Sequence, residues 1–364
     1  MNLEATETQV LLRDTVRDYL AREVPLDRIR QLEREQGWDE TLWKALRDQG
    51  WLGLPFSEAA GGGGGSLLDV GVLVEEFARR AAIAPLMEAL ACGIALDRFA
   101  PGPAAEALVA GLLDGSVLPV PALLEADDCF GSVALAAKRG RLDGEKRFVD
   151  YGQFASHHLV LACDADEVAL FRVDARCAEV SCEPLRTIGR TPSARVRYAG
   201  APAERVGGPE AARALLWIGR ALAAVQCVGS AAEALDQTVA YAKVREAFGK
   251  PIGSFQAVKH HAAGMASKVA SSRHLVFEAL HALERGGEAG LRVALAKASA
   301  SRAVPEVTML AHQIHGGNGI IEENDLYFFT LRGKERSLAW GTVDECLAEV
   351  AGAVHEPVDW LAPG

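Results

Sequence analysis

The stretch VREAFGKPIGSFQAVKHH, residues 244–261, decides how this chain is read. Alanine-rich, helix-favouring sequence flanks it, at about 210–246 before and 255–286 after. Between them Phe248, Gly249, Pro251, Gly253 and Ser254 interrupt the helix, with Arg245 just before the break and Gln256 just after it. Arginine offers a planar fork of donors matched to phosphate. Phenylalanine offers a flat face, and glutamine an amide that pairs with a base edge or a phosphate. A second segment, QIHGGNGI at 313–320, ends a helix in Gly316 and Gly317, where missing side chains let a large group approach the backbone. Arg245, Phe248, Gln256, Gln313, Gly316 and Gly317 together suit a nucleotide with a pyrophosphate. The same residue types also suit a plain turn between helices followed by a glycine cap, and alone they leave both readings open.

Working outward, the chain divides into three. Residues 1–115 read as an N-terminal helical domain, in which Leu12, Val16, Tyr19 and Leu20 share a helix face that Pro25 ends. The run AAGGGGGSLLDV sets five glycines before Ser66, a helix N-cap with Asp69 three residues on. Such a glycine run can cradle a phosphate, but no strand, lysine or GK[ST] accompanies it, which favours a flexible connection. Residues 116–206 hold short runs, SVALAAK, GRLDGEKRFV, HHLVLAC, EVALFRV and ARVRYAG, separated by turn residues. They predict a β-barrel-like antiparallel domain with a hairpin turn at Asp143-Gly144. Residues 207–364 predict a C-terminal bundle of long helices at about 210–246, 255–286 and 290–315, with a shorter one from near 342.

Composition narrows the function classes. The net charge is −11 with basic residues scattered among acids, which argues against a nucleic-acid partner. No eighteen-residue stretch lacks charge, so no membrane span is expected. The opening MNLEATETQV has neither a basic nor an apolar leader region. Seven cysteines without a CxxC predict small buried hydrophobes, reduced thiols and a cytoplasmic location. His312 and His315 have a spacing that can bind metal, but no HExxH or nearby carboxylate supports it, so a structural role is expected. No GxSxG surrounds Ser66 or Ser254, and no GxGxxG follows a strand.

The chain resembles the acyl-CoA dehydrogenases over nearly its whole length. The resemblance lies in the α–β–α order, the glycine-rich loop before a helix at 61–66 and the LDGEKRFVDYG segment. It is strongest in REAFGKPIGSFQ and QIHGGNG, and the spacing from Arg245 through Gln313 to Gly341-Thr342 fits without a gap. It implies an α+β fold with an N-terminal helical domain, a middle antiparallel β domain and a C-terminal four-helix bundle. It also implies FAD. Arg245, Phe248, Gln256, Gln313, Gly316 and Gly317 would hold the pyrophosphate and adenosine half, while the flavin ring lies in a neighbouring subunit; Thr342 is carried over as a further cofactor contact. In the family a carboxylate takes the α-proton of an acyl-CoA thioester, flavin accepts a hydride from the β-carbon, and electrons pass to an electron-transferring flavoprotein.

Three departures concern the chemical half of the site. The family's loop resembling T-E-P-x-A-G-S-D stands here as PALLEADDCFG, residues 121–131. Its K-x-W-I-T-N-G stands as KRFVDYG, with Phe148 for the tryptophan and Asp150 for the threonine, an odd neighbour for a flavin that becomes anionic when reduced. The catalytic glutamate is missing from both places the family keeps it: one is Trp340, the other Gly219, beside Arg220. Asp344 and Glu345 are the nearest acids in sequence but fall on the next helical turn. The implied function is a subunit of a heteromeric acyl-CoA dehydrogenase that supplies the adenine half-site to a catalytic partner and lacks its own base. The alternatives are a non-catalytic homo-oligomeric scaffold of the same fold, and a homotetrameric dehydrogenase with an unrecognised base.

Overall fold

The computed structural model describes residues 5–127, 129–130, 132–165, 167–286 and 289–353. The first segment is helical: α1 (Glu7–Glu23), α2 (Leu26–Glu35), α3 (Glu40–Asp48), α4 (Leu67–Arg79), α5 (Leu86–Phe99) and α6 (Pro103–Leu113). Local chemistry sets their ends. Thr6 and Gln9 form a reciprocal capping box on α1, Asp39 caps α3, and Ser66 and Asp69 form the box expected on α4. The five glycines form a fold-back rather than a phosphate cradle or a slack connection. Their N–H groups go to the chain's own carbonyls: Gly62 to Ser57, Gly63 to Gly53, Gly64 to Phe56 and Gly65 to Leu54. A Cβ on Gly62 would stand 2.3 Å from the Phe56 carbonyl oxygen and one on Gly65 2.8 Å from that of Leu54, so contact excludes side chains at these two positions.

The middle segment holds β1 (Pro119–Ala122), β2 (Ala137–Lys138), β3 (Arg141–Asp150), β4 (His157–Asp164), β5 (Glu167–Asp174), β6 (Val180–Leu185), β7 (Ser193–Pro202) and β8 (Glu204–Gly207). They form two four-stranded sheets, ordered β1-β4-β5-β8 and β2-β3-β7-β6. The named strands pair antiparallel as expected, except that β1 runs parallel to β4 from Pro119↔His157 to Ala122↔Val160. One expectation is corrected. Asp143-Gly144 is not a turn: it lies inside β3 at a bulge, and the reversal occurs earlier, at Arg139-Gly140, both with positive φ.

The last segment holds α7 (Pro209–Val244), the two-stranded hairpin β9 (Glu246–Ala247) and β10 (Lys250–Pro251), then α8 (Gln256–Arg285), α9 (Gly290–His315), α10 (Leu326–Leu338) and α11 (Val343–Ala353). Helix α10 is absent from the sequence expectations and is the fourth helix of the bundle, packed on α7 and α9. Its buried face is mixed rather than apolar, with Phe328 and Phe329 beside Arg332 and Arg336, which hides its periodicity. By length and composition α7 could cross a membrane, but 83% of its most apolar window is buried inside the protein, as the core helix of the bundle.

Candidate cofactor and active site

The break in the helical sequence is a tight hairpin. Lys250 pairs with Ala247 and Pro251 with Glu246, leaving Phe248 and Gly249 as the two tip residues at φ 54° and 75°. That is the two-residue turn whose twist matches antiparallel strands. Ile252 N–H donates to the Arg245 carbonyl at 2.8 Å, and a Cβ on Gly253 would stand 2.9 Å from the Ala242 carbonyl oxygen, so the turn folds tightly onto the end of α7. Arg245, Gln256 and the Phe248 ring face solvent; Phe248 is 95% exposed and meets Phe255 edge-on at 6.1 Å. A bulky aromatic held in the left-handed region and left in water is strained and little covered by its own chain.

The second segment lies against the first. The Tyr241 ring, on the last turn of α7, stacks on His315, on the last turn of α9, at 4.4 Å and 17°, and the Tyr241 hydroxyl reaches the His315 carbonyl at 3.5 Å. Gln313, Gly316 and Gly317 are exposed beside this stack. Gly316 has φ 58°, and a Cβ on it would meet only open space; the same holds for Gly317, whose φ is ordinary. No described residue of this chain therefore requires Gly317 to be glycine. His312 uses both ring nitrogens, at 2.8 Å from the Gly319 carbonyl and 2.7 Å from the Thr330 hydroxyl, in keeping with a structural role.

Thr342 does not join these six residues. It sits by Gly341, whose carbonyl accepts from Lys297 Nζ at 2.9 Å, and Lys297 and Gln313 are about 24 Å apart along α9 at 1.5 Å per residue. Thr342 caps α11: Glu345 accepts from its N–H at 2.7 Å and its hydroxyl at 2.9 Å, and from Phe130 N–H at 3.1 Å. Burial opposes the charge on Glu345, but these hydrogen bonds prevail and hold its carboxyl below the usual range. Glu345 is thus committed to the cap, as its sequence position suggests.

The two candidate positions for the family glutamate touch each other. Trp340 is 4% exposed at φ 63°, and its indole fills the notch left by Gly219: a Cβ there would stand 2.1 Å from Trp340 Cζ3. Two buried cations hold the loop in that place. Arg220 Nε donates to the Trp340 carbonyl at 2.8 Å and its NH1 to Glu349 at 2.7 Å. Lys297 Nζ donates to the Ser301 hydroxyl and to the Ser337 and Gly341 carbonyls at 2.8, 3.1 and 2.9 Å, while burial lowers its pKa.

Trp340 and Thr342 line a cavity of about 380 Å³ between β1, β3, the 186–188 segment and the end of α10. Phe148, half-exposed at φ 49°, and Asp150 also line it. Asp150 is not a free charge, since Arg336 NH1 donates to it at 2.6 Å. Two more acids share the wall: wholly buried Glu88, 3.5 Å from Arg336, and Glu335. Burial raises Glu335 and pushes Glu88 up to about 7 against the attraction of Arg336. Burial works against the charge of Arg336 too, but Asp150, Glu88 and Glu335 outweigh it and its pKa is raised. In the 121–131 stretch, after β1, Glu125 accepts from Lys146 Nζ at 2.6 Å and from Ala134 N–H at 3.1 Å. Glu88, Glu335, Arg336 and Lys297 carry no sequence signal beyond being charged residues inside apolar helix patterns, and that signal is usable only after the helices are placed.

Residues 6–115 match the family description acyl-CoA dehydrogenase, N-terminal domain, and residues 207–350 match acyl-CoA dehydrogenase, C-terminal domain. The acyl-CoA dehydrogenase IpdE2 of Mycolicibacterium smegmatis is 31% identical, covering 92% of this chain and 95% of that protein. Among solved structures, a variant of the Tcur3481–Tcur3483 steroid ACAD superposes with a TM-score of 0.90 at 31% identity, over 95% of this chain and 97% of that one. The ChsE4–ChsE5 complex of Mycobacterium tuberculosis superposes with a TM-score of 0.90 at 26% identity, over 98% and 100%. The chain belongs to the acyl-CoA dehydrogenase family, the FAD-dependent oxidoreductases that act on acyl-CoA thioesters.

Proposed function

We propose that this chain is the non-catalytic subunit of a two-subunit acyl-CoA dehydrogenase. The observation that carries it is the Trp340 indole seated in the Gly219 notch. Both places at which the family carries its base are occupied by groups that cannot accept a proton, and the indole fills the space between them. Its partner would provide the base and the flavin-ring pocket, and an electron-transferring flavoprotein would take the electrons.

The two ends of this chain fit FAD unequally. At the hairpin end, Arg245 offers a charged fork to a pyrophosphate, Phe248 a flat exposed face, and Gln256 and Gln313 amides. Gly317, whose own chain leaves it open space, allows close approach. These residues fit the adenine half. At the cavity end the wall presents Glu88, Asp150 and Glu335 together with the exposed Arg186, while Arg336 pairs with Asp150, and an acid-rich lining with a carboxylate at Asp150 does not fit a ring that gains negative charge on reduction. When bound, FAD supplies the hydride acceptor; this chain's residues hold its phosphate end and orient it toward the partner.

The names of the two structural neighbours, a Tcur3481–Tcur3483 steroid ACAD and a ChsE4–ChsE5 complex, support a heteromer and a bulky acyl-CoA, steroid-like, as substrate. The location is proposed as cytoplasmic. The test is to purify the chain alone and co-expressed with a second acyl-CoA dehydrogenase family member that carries the catalytic glutamate, then measure mass, flavin content and acyl-CoA oxidation. Activity only in the pair, with about one FAD per two chains, is expected. Acyl-CoA-dependent flavin reduction by the pure chain, abolished by Glu335→Gln or Glu88→Gln, would make one of those acids the base and overturn the reading.

A further inference from the structure

The loop between β6 and β7, residues 186–192, separates two cavities. Arg186 and Thr187 line both: the cavity of about 380 Å³ beside Trp340, and a polar groove of about 680 Å³ bounded by α2, this loop and the 322–327 segment. The ends of the loop are fixed by the last β6–β7 pair, Leu185↔Ser193. Its middle is fastened to α10. Gly189 N–H donates to Glu335 Oε2 at 2.8 Å, and Arg332 Nε donates to the Gly189 carbonyl at 3.4 Å. Gly189 lies directly on the Glu335 carboxyl: a Cβ there would stand 2.6 Å from Glu335 Cδ. Arg190 is held in the left-handed region at φ 57°, its NH1 donating to Glu33 at 3.4 Å and its NH2 to Glu322 at 3.1 Å. A residue with a side chain stores strain in that region, as is found at ligand clamps and switch segments.

We propose that this loop is a shutter between groove and cavity, closed over Glu335 while that carboxyl is protonated and lifting when it ionises. Lid and charge work against each other. The closed loop keeps the carboxyl from water, and water is what an ionised carboxylate needs. Arg336, the cation on the next residue of α10, gives its short contact to Asp150 at 2.6 Å instead. Lifting the loop carries Thr187 and Ile188 away from the cavity wall and lets water reach Glu335. Groove and cavity then become one space, and an apolar body entering from the groove reaches Phe148, Leu338 and Trp340.

The charged and titratable groups facing Glu335 are Arg332 and Arg336 on its own helix, Asp150 at the end of β3 and Glu88 on α5; Arg186 stands on the same cavity wall. Burial raises the pKa of Glu335. Arg336 opposes the rise, Asp150 adds to it, and hydrogen bonds from Thr187 and Gly189 oppose it, with burial prevailing. A carboxyl raised when covered and ordinary when uncovered favours closure at low pH, and that preference is lost as pH rises through the raised value. Opening therefore increases with pH.

Amide hydrogen exchange of the full chain at about pH 5.5 and about pH 8, corrected for the intrinsic rate, tests this. The amides of Gly189 and Arg190 should lose protection at the higher pH by at least about threefold, while amides inside α7 report any global opening. Glu335→Gln, of the same shape and always neutral, should keep the loop protected at both pH values. Glu88→Gln should retain the pH response, which separates the loop from the buried acid beside it. A response shared by the native chain and Glu335→Gln, or absent from the native chain, overturns the shutter. If Glu335→Gln fails to fold, the native pair of measurements decides: loss of protection confined to the loop supports the shutter, and none overturns it. Nile red, a neutral apolar dye, tests the joined space. At about pH 8 the native chain should bind it several-fold tighter than Glu335→Gln does, and equal binding overturns the passage between the cavities.

Discussion

Arg245 and Gly219 show how single residues carry opposite kinds of information. Arg245 is exposed at the end of α7 and does little for the fold of its own chain. Arg245→Ala should leave the melting temperature of the isolated chain unchanged and weaken FAD retention in the assembled enzyme. Loss of a charge-assisted phosphate contact costs about 1.5–3 kcal/mol, read as flavin lost on gel filtration or dialysis. Unchanged FAD affinity would remove this segment from the cofactor site. Gly219 is the reverse case, buried under the Trp340 indole at a distance no Cβ tolerates. Gly219→Ala should destabilise by about 1–3 kcal/mol through overpacking. The same substitution in a Trp340→Ala background should cost much less, because the two sites share one space. Chemical denaturation of the four proteins measures the coupling.

Among elements, the β9–β10 hairpin and the loop before α11 both hold backbone strain. Phe248 and Trp340 are aromatic residues at positive φ, where asparagine or glycine is ordinarily favoured. At Trp340 buried partners offset the strain: Arg220 and Lys297 hold the surrounding carbonyls. No described residue gives the exposed Phe248 ring comparable cover. Phe248→Asn should therefore stabilise the isolated chain by about 1 kcal/mol, while the assembled enzyme loses FAD more readily. A variant less stable than the parent, with flavin content intact, would mean that the phenyl ring serves the chain itself.

At the scale of the molecule, Arg336 joins the three segments. It lies on α10, pairs with Asp150 of β3, and faces Glu88 of α5. Glu88 is raised to about 7 from an ordinary 4.5. Below 4.5 it is protonated both folded and unfolded, and its contribution to stability is complete. As pH rises toward 7 the folded chain keeps a proton that the unfolded chain has lost, so stability falls, by roughly 3 kcal/mol at most. Glu88→Gln should flatten that part of the stability–pH curve; an unchanged slope between pH 4.5 and 7 would place the titration elsewhere. Assembly belongs to the same scale. Leu275, Leu291, Leu295, Met309 and Leu347 of the C-terminal bundle are exposed, as is Phe248 at the hairpin tip. An obligate interface, usually above about 2,000 Å², is expected to cover them, and analytical ultracentrifugation finding a monomer at micromolar concentration in the co-purified preparation would contradict it.

What is legible in the sequence is what short-range chemistry dictates. The capping pair at Ser66 and Asp69, the helix break between Arg245 and Gln256, and the glycines after His315 each specify their conformation within a few residues. The long helices of the last segment and the strand runs of the middle one follow from period and turn residues. The Asp143-Gly144 turn fails because a bulge and a hairpin ask for the same residues, and only pairing with β7 distinguishes them. Helix α10 escapes sequence reading because two of its inward residues are arginines whose partners, Glu33 and Asp150, lie in other segments. Those partners are what tertiary structure alone decided. It set Trp340 against Gly219 and gathered Glu88, Asp150 and Glu335 around one guanidinium. It also placed Thr342 at the far end of α9 from the hairpin. The reason is physical: backbone preference is local, whereas burial, charge pairing and filled space depend on which distant residues come to share a neighbourhood.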